Sequence, residues 1–181
     1  DAVDAHSFVV NYKGIKVGVF TDIGAPCKNL AAYFRECHAA FLEANYDEEM
    51  LDKGSYPIYL KNRIRGGLGH LSNRQALEFF IEQRPSYMSH LVLSHLSKEN
   101  NCPKLVEELF SSQADGTEII VASRYNETPV YIIDGSYRRN AESSTCPCTI
   151  ARPSRTSSAR SPCSLRSGTI ICLAMLRSTM R

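Results

Sequence analysis

Residues 15–24 read IKVGVFTDIG, an apolar segment that ends in a carboxylate. Apolar side chains occupy every second position from Ile15 to Val19, and this period of two is typical of a β-strand. A shorter apolar run at 7–10 precedes it, and the turn signal at 11–14 separates the two. The segment therefore predicts a β-hairpin whose second strand leads to Asp22.

Strand and helix signals alternate outward from this hairpin up to about residue 135. Further strands are predicted at 39–42, 91–93, 119–122 and 130–133. The clearest helix begins at Ser72, because Gln75 three residues later completes a capping box. Its predicted buried face consists of Ala76, Leu77, Phe80 and Ile81. This alternation predicts an α/β fold in which at least part of the sheet pairs antiparallel.

The composition indicates a globular body followed by a segment of different character. Hydrophobic residues make up 43% and charged residues 22% of the 181 residues, as in soluble globular proteins. No acidic residue follows Glu142, whereas six arginines do, and Ser, Thr, Arg, Pro and Cys dominate there. We therefore predict a folded domain at 1–138 and a low-complexity tail at 139–181, either disordered or read out of frame.

Charge and cysteine usage exclude some function classes. The residues up to Glu142 carry a slight negative net charge, which gives no reason to expect non-specific nucleic-acid binding. The longest apolar run, at 169–176, is too short to span a bilayer, so no membrane association is predicted. Cys27, Cys37 and Cys102 form no CxxC pair, which favours reduced thiols and a cytoplasmic location.

Three of the predicted strands end in polar residues. Asp22 follows the strand that begins at Ile15, Glu43 and Asn45 follow the strand at 39–42, and His95 follows the strand at 91–93. Since ligands of open α/β sheets bind at the carboxyl ends of strands, these side chains are candidates for one common site. A carboxylate and an imidazole are suitable ligands for zinc or manganese. The alternative is that Asp22 is a turn former and His95 a hydrogen-bonded structural residue.

Two further features are candidates for contact with an anion. His70 lies just before the Ser72 cap, where helix N–H groups favour negative charge and a proton donor can meet a phosphate. The alternative is that His70 only stands at the start of a helix and has no role in the chemistry. The predicted short helix around Lys61, Arg63 and Arg65 contacts a nucleic-acid backbone or presents a solvated basic face.

Four motifs together carry a family resemblance. They are TDIG at 21–24, LEANYDEEML at 42–51, GHLSN at 69–73 and LSHLSKENN at 93–101. In this order they resemble the C-terminal half of the WalJ-like (YycJ-like) branch of the metallo-β-lactamase-fold hydrolases. The resemblance implies an incomplete αββα sandwich, with residues 1–138 as the C-terminal part of the domain and the N-terminal half missing.

The resemblance also implies roles for single residues. The Asp of the first motif bridges two metal ions in this family and the His of the last motif binds one of them. Asp22 and His95 inherit these roles, in a site for two divalent ions, zinc or manganese. His70 is the counterpart of a proton donor or phosphate contact, and Glu43 and Asn45 would orient the ligands.

The implied activity is hydrolysis of phosphodiester bonds by a nuclease with DNA or RNA as its substrate. An acyl or thioester hydrolase of the same fold is one alternative, and a non-catalytic fragment that binds nucleic acid or a partner through its basic tail is another. The chain departs from the family because it contains no His-x-His and has Tyr46 where many relatives have His. Asp22 and His95 supply at most two or three metal bonds, so we expect poor metal binding and little activity from this chain alone.

Overall fold

A computed structural model describes residues 6–136 of the chain. Five strands and five helices occur within this part, and they alternate as an α/β fold requires. In chain order they are β1 (Phe8–Tyr12), β2 (Ile15–Phe20), α1 (Lys28–Phe34), β3 (Ala39–Glu43), α2 (Glu48–Lys53), α3 (Ile58–Arg65), α4 (Asn73–Gln83), β4 (His90–Ser94), α5 (Pro103–Ser111) and β5 (Glu118–Val121).

The strands form a single sheet in sequence order, β1-β2-β3-β4-β5, among the described residues. β1 and β2 are the predicted antiparallel hairpin, and β2, β3, β4 and β5 run parallel to one another. Phe20 is paired with Leu42, and Glu43 with Ser94. The carboxyl ends of β2, β3 and β4 therefore meet at one edge of the sheet, which confirms the predicted mixed α/β arrangement.

Helices α1, α4 and α5 pack on one face of this sheet. Because side chains alternate along a strand, Ala40 and Leu42 of β3 face the helices while Ala39 and Phe41 face the opposite side. On the helix face, Phe34 of α1 contacts the rings of Phe20 and Phe79. One sheet with one helix layer corresponds to half of an αββα sandwich, and the other half remains a prediction.

The capping box of α4 is confirmed. The hydroxyl of Ser72 accepts from the backbone N–H of Gln75, whose side chain accepts from the backbone N–H of Ser72. The prediction that Ile81 is buried is wrong, since Ile81 is 46% exposed and Phe79 is buried. The sheet contacts the narrow face defined by Ala76, Phe79 and Phe80, and Ile81 lies about 100° further around the helix.

The prediction of a strand at 130–133 is also wrong, because this segment pairs with no strand. Tyr131 contacts the ring of His90 at the start of β4, whereas Gly135 lies against Ile15 and His38 near the starts of β2 and β3. Ile133 is buried against Val17 and Phe41, so the segment crosses the face of the sheet opposite to the helices, near the amino ends of the strands. Its backbone runs across them instead of beside an edge, where hydrogen bonding to a strand is possible.

The predicted tail at 139–181, with its boundary at residue 138, lies outside the described residues. Within residues 6–136, no helix has the length and apolar character that crossing a membrane requires. The three cysteines of the described part, Cys27, Cys37 and Cys102, are free thiols. The cytoplasmic location stays a prediction.

Candidate metal centre

Three side chains with metal-ligating atoms converge at the carboxyl edge of the sheet. Asp22, His70 and His95 each offer one such atom, and these atoms lie within 4.8 Å of one another. Nδ1 of His95 is 3.3 Å from Oδ2 of Asp22. The sequence placed Asp22 and His95 at a common strand edge, and the structure brings both of them together with His70.

The backbone conformation of two of these residues is unusual. Asp22 follows β2 and His95 follows β4, and each has a φ of 57°. This left-handed region is sparsely populated by residues other than glycine, although Asp and His enter it more readily than most. Such conformations concentrate at functional sites, where the surrounding structure enforces them. At both positions the chain turns sharply as it leaves the sheet.

Glu43 is the central anchor of the cluster. It is the last residue of β3 and its side chain is 0% exposed. Oε1 accepts a hydrogen bond of 2.5 Å from Nδ1 of His70, and Oε2 accepts one of 2.8 Å from the backbone N–H of Ile23. Oε1 also lies 3.8 Å from Nδ1 of His95. One buried carboxylate therefore orients His70 and fixes the loop that carries Asp22.

The hydrogen bond to Glu43 decides which nitrogen of His70 is available for chemistry. When Nδ1–H donates to a carboxylate, Nε2 is left to bind a metal ion or to exchange a proton with a substrate. The main chain of His70 is held by its N–H, which donates to the carbonyl of Ile64. The ring of His70 also makes an edge contact with the ring of His95, with centroids 5.1 Å apart.

Burial dominates the electrostatics of His95. It lowers the pKa of this imidazole, the carboxylates of Glu43 and Asp22 act in the opposite direction, and the net change is downward. A lowered pKa favours the neutral ring, which is the form that binds a metal ion. The local environment therefore suits His95 as a ligand.

Glycines bring the loops that carry Asp22 and His70 into contact. A Cβ added to Gly24 would lie 2.1 Å from the carbonyl oxygen of Gly67, so the two backbones touch there. A Cβ at Gly69 would meet the carbonyl oxygens of Arg63 and Ile64 at 2.2 Å. A larger residue at Gly24 would push the two loops apart, and one at Gly69 would displace the loop that carries His70 from the end of α3.

A network of buried amides joins the motifs behind the site. Nδ2 of Asn45 donates to the carbonyl of His95 at 2.7 Å. Asn73 and Asn101 exchange side-chain hydrogen bonds of 2.9 and 2.8 Å, and Nδ2 of Asn101 also reaches the carbonyls of Ala44 and Asn45. Sequence reasoning anticipated a supporting role for Asn45 and missed Asn73 and Asn101. Both asparagines stand in the quoted motifs, and that position was the available signal.

Other candidates from the sequence lie outside this cluster. Tyr46 is buried, and its backbone forms a bridge with Ser72. On α3, Arg65 pairs with the carboxylate of Asp52, and Nζ of Lys61 donates to the backbone carbonyl of Asp52. The charge of Arg65 is therefore partly neutralised by a local carboxylate.

No family model matches the chain. Exodeoxyribonuclease WalJ from two strains of Streptococcus pneumoniae is 37% identical over 95 residues, which cover 52% of this chain and 35% of that protein. Exodeoxyribonuclease YycJ from Bacillus anthracis is 30% identical over 105 residues, covering 58% of this chain and 40% of that protein. The chain is a relative of WalJ and YycJ. Its match spans about a third to two fifths of the length of these curated proteins.

The donor set of this WalJ-like chain fits a divalent transition metal. One carboxylate and two imidazoles are ligands that zinc and manganese accept, and Glu43 hydrogen-bonds to one imidazole as ligand-orienting carboxylates do. Three donors are one fewer than a tetrahedral structural zinc site uses. The cluster is thus a suitable part of a metal site, with positions left for other ligands or water.

Proposed function

We propose that this chain forms part of a metal-dependent hydrolase of phosphodiester bonds, with DNA as its substrate. The observation that carries the proposal is the convergence of Asp22, His70 and His95 around the buried Glu43. The two relatives named as exodeoxyribonucleases support a nuclease and favour DNA over RNA. Hydrolysis itself follows from the chemistry of such a site.

Asp22 and His95 are the residues that would hold one or two divalent ions. A divalent ion at such a site lowers the pKa of a bound water and stabilises charge on phosphate oxygens. Asp22 is the more exposed of the two, with 36% of its side chain accessible, so its carboxylate faces the substrate side. The buried Glu43 carries further negative charge directly behind them.

His70 acts as the general acid in this proposal. Its Nδ1–H donates to Oε1 of Glu43, which fixes the ring and leaves Nε2 as the atom that carries the transferred proton. Cleavage of the P–O bond leaves a negative charge on the departing deoxyribose oxygen, and the Nε2 proton of His70 passes to that oxygen. Glu43 keeps the ring oriented throughout and does not itself contact the substrate.

Metal binding tests the ligand assignment. Titration of the chain with Mn²⁺ or Zn²⁺ in a calorimeter is expected to give weak binding, with a Kd far above the micromolar range, because Asp22 and His95 supply at most two or three metal bonds. Asp22→Asn and His95→Gln should abolish it. Asp134→Asn and His90→Gln, which change the same residue types outside the cluster, should leave it unchanged. Equal losses in all four variants would contradict the assignment.

Activity tests the reaction class. The longest polypeptide that the gene encodes is assayed with Mn²⁺ on end-labelled DNA, end-labelled RNA and an acyl thioester. Hydrolysis of DNA that is lost in Asp22→Ala while the fold is intact supports the proposal. Thioester cleavage without DNA cleavage would favour the acyl hydrolase instead, and binding of nucleic acid without any cleavage would favour an interaction role.

The leaving group distinguishes the two possible roles of His70. General acid catalysis contributes about 10²–10⁴-fold to a rate, and a good leaving group does not need it. His70→Gln should therefore slow DNA hydrolysis strongly and bis(p-nitrophenyl) phosphate hydrolysis little. If His70 is a metal ligand, both rates and the metal affinity fall together.

A further inference from the structure

A cleft of about 540 Å³ opens beside the metal centre, and the proposed hydrolysis gives it no role. It lies between the start of β1, the loop at 21–25 and helix α1, and Asp22 forms part of its wall. Its volume is in the range of pockets that hold small organic molecules. A molecule bound in this cleft would lie directly next to Asp22 of the metal centre.

The lining of the cleft is mostly apolar and carries little charge. Phe20, Ile23 and Leu30 provide apolar wall, and Thr21 and Asn29 provide polar groups. Among the described lining residues, none is Lys, Arg or His, and Asp22 is the only acid. A phosphate would find no cation in this cleft, so the chemistry of the lining selects a neutral group.

Tyr33 gives the cleft an accessible aromatic ring. The helical spacing of the sequence places Tyr33 on the same amphipathic helix as Leu30 and Phe34, yet Tyr33 is 57% exposed while the other two are buried. It lines the cleft from α1. An exposed ring beside an apolar wall is a platform on which a flat ligand can stack.

We propose that this cleft binds the nucleobase of the nucleotide whose phosphate is cleaved, with Tyr33 stacking on the base. The inference rests on the proposed phosphodiesterase function and adds its substrate subsite. A base is neutral and flat, has polar edges for groups such as Thr21 and Asn29, and is joined by a short sugar to a phosphate beside Asp22. Stacking accepts every base, because every base has a flat π-face.

Cys27 provides a direct probe of occupancy, because it lines the cleft and is exposed. The 181-residue chain is alkylated with N-ethylmaleimide with and without deoxyadenosine or thymidine, and each cysteine is followed by peptide mass spectrometry. The nucleosides should slow modification of Cys27 and leave Cys102, an exposed cysteine away from the cleft, unchanged. Deoxyribose without a base should protect neither.

Substitution of the ring tests the stacking. Tyr33→Ala should weaken the protection of Cys27 by about tenfold or more in nucleoside concentration, whereas Tyr33→Phe should retain it. Tyr125→Ala, which removes a tyrosine that is 73% exposed elsewhere, is the matched control and should have no effect. Equal protection in Tyr33→Ala and the unchanged chain would overturn the role of Tyr33.

The nucleoside experiment needs neither metal nor hydrolysis, so its failure is separate from failure of the proposed function. No protection of Cys27 by either nucleoside would overturn the base subsite even if Asp22 and His95 bind metal. Nucleoside protection of Cys27, combined with no DNA hydrolysis by the longest polypeptide that the gene encodes, would retain the subsite and overturn the proposed hydrolase function.

Discussion

Asp22 and His95 lie on different loops, yet Oδ2 of the first and Nδ1 of the second are 3.3 Å apart and both residues have a φ of 57°. The two strands that precede them, β2 and β4, flank β3 in the sheet. The segments that leave β2 and β4 must each turn back over the end of β3 to bring Asp22 and His95 above Glu43. The left-handed conformation provides this turn, at an energetic cost to residues that carry a Cβ.

Replacement of Asp22 by glycine and by alanine separates this backbone strain from the role of the side chain. Both substitutions should abolish metal binding, since both remove the carboxylate. Asp22→Gly should nevertheless be about 1 kcal/mol more stable than Asp22→Ala, because glycine adopts positive φ without penalty. Urea unfolding monitored by circular dichroism measures the difference.

The same pair of substitutions at Asp134 is the control. Asp134 is exposed and is not among the residues with positive φ. Asp134→Gly should be no more stable than Asp134→Ala, because there glycine only adds conformational entropy to the unfolded chain. If the glycine variant gained as much at Asp134 as at Asp22, strain at Asp22 would not be the reason.

The sequence was informative where local chemistry determines local structure. The Ser72 capping box and the antiparallel hairpin involve neighbours in sequence, and both are present. The ends of the parallel strands were predictable too, because a change from apolar to polar residues marks them. For this reason Asp22 and His95 were identified as candidates for a common site.

Contacts between distant segments were not accessible in this way. His70 and Glu43 are 27 residues apart, and the loop at 66–72, which bonds to the backbone beyond the end of β3, brings their side chains to 2.5 Å. The segment at 130–133 has the composition of a strand, yet it packs across the face of the sheet opposite to the helices. Hydrophobic periodicity gives the face that a residue occupies and gives no distance to a residue elsewhere in the chain.

Glu43 should be the most sensitive single residue of the site. Glu43→Ala leaves the donors of His70 and Ile23 without their partner inside the protein, and we expect a loss of about 3 kcal/mol or more. Glu43→Gln retains an acceptor for Ile23 and should lose less. Glu78→Ala, an exposed glutamate paired with Arg74, should cost under about 1 kcal/mol.

Urea unfolding measures these free energies of unfolding. Proton NMR of the His70 ring N–H groups, edited through nitrogen, reports the hydrogen bond to Glu43 directly. The resonance of its Nδ1 proton should be present in the unchanged chain and lost in Glu43→Ala. A loss of stability in Glu43→Ala no larger than in Glu78→Ala would mean that the buried carboxylate is not an anchor.

Asn101 should contribute to stability through its amide rather than through its volume. Its side chain bonds to Asn73, Ala44, Asn45 and the backbone N–H of Cys102. Asn101→Ala should cost about 2–4 kcal/mol, since several buried polar groups lose a partner. Asn62→Ala on the exposed face of α3 should be neutral or slightly stabilising.

Asn101→Asp also tests the contribution of the amide, because Asp has almost the same side-chain shape as Asn. It would place a carboxylate oxygen against the carbonyl oxygens of Ala44 and Asn45, where the amide now donates. The loss of stability should therefore be larger at pH 8 than at pH 5, where protonation restores a donor. A variant as stable as the unchanged chain at pH 8 would contradict the importance of the amide.

The stability of the folded chain should decrease in mild acid. Burial lowers the pKa of His38 and of His90, with the charge of Lys16 adding to the effect at His38. The unfolded chain, whose histidines titrate near pH 6.5, then binds more protons than the folded chain just below that pH. Stability is therefore retained above about pH 6.5 and falls as the pH drops through the lowered pKa values.

His38 offers a specific test of this pH dependence. Its Nδ1 accepts the backbone N–H of Lys16 at 3.2 Å, and protonation of Nδ1 would remove that acceptor. Asn has an acceptor oxygen in nearly the same place and does not titrate. The free energy of unfolding of His38→Asn, measured from pH 7.5 to 5.5, should therefore fall less steeply than that of the unchanged chain. His6→Asn, which changes an exposed histidine near the start of β1, should leave the slope as it was, and equal slopes for all three proteins would exclude His38 as a source of the acid sensitivity.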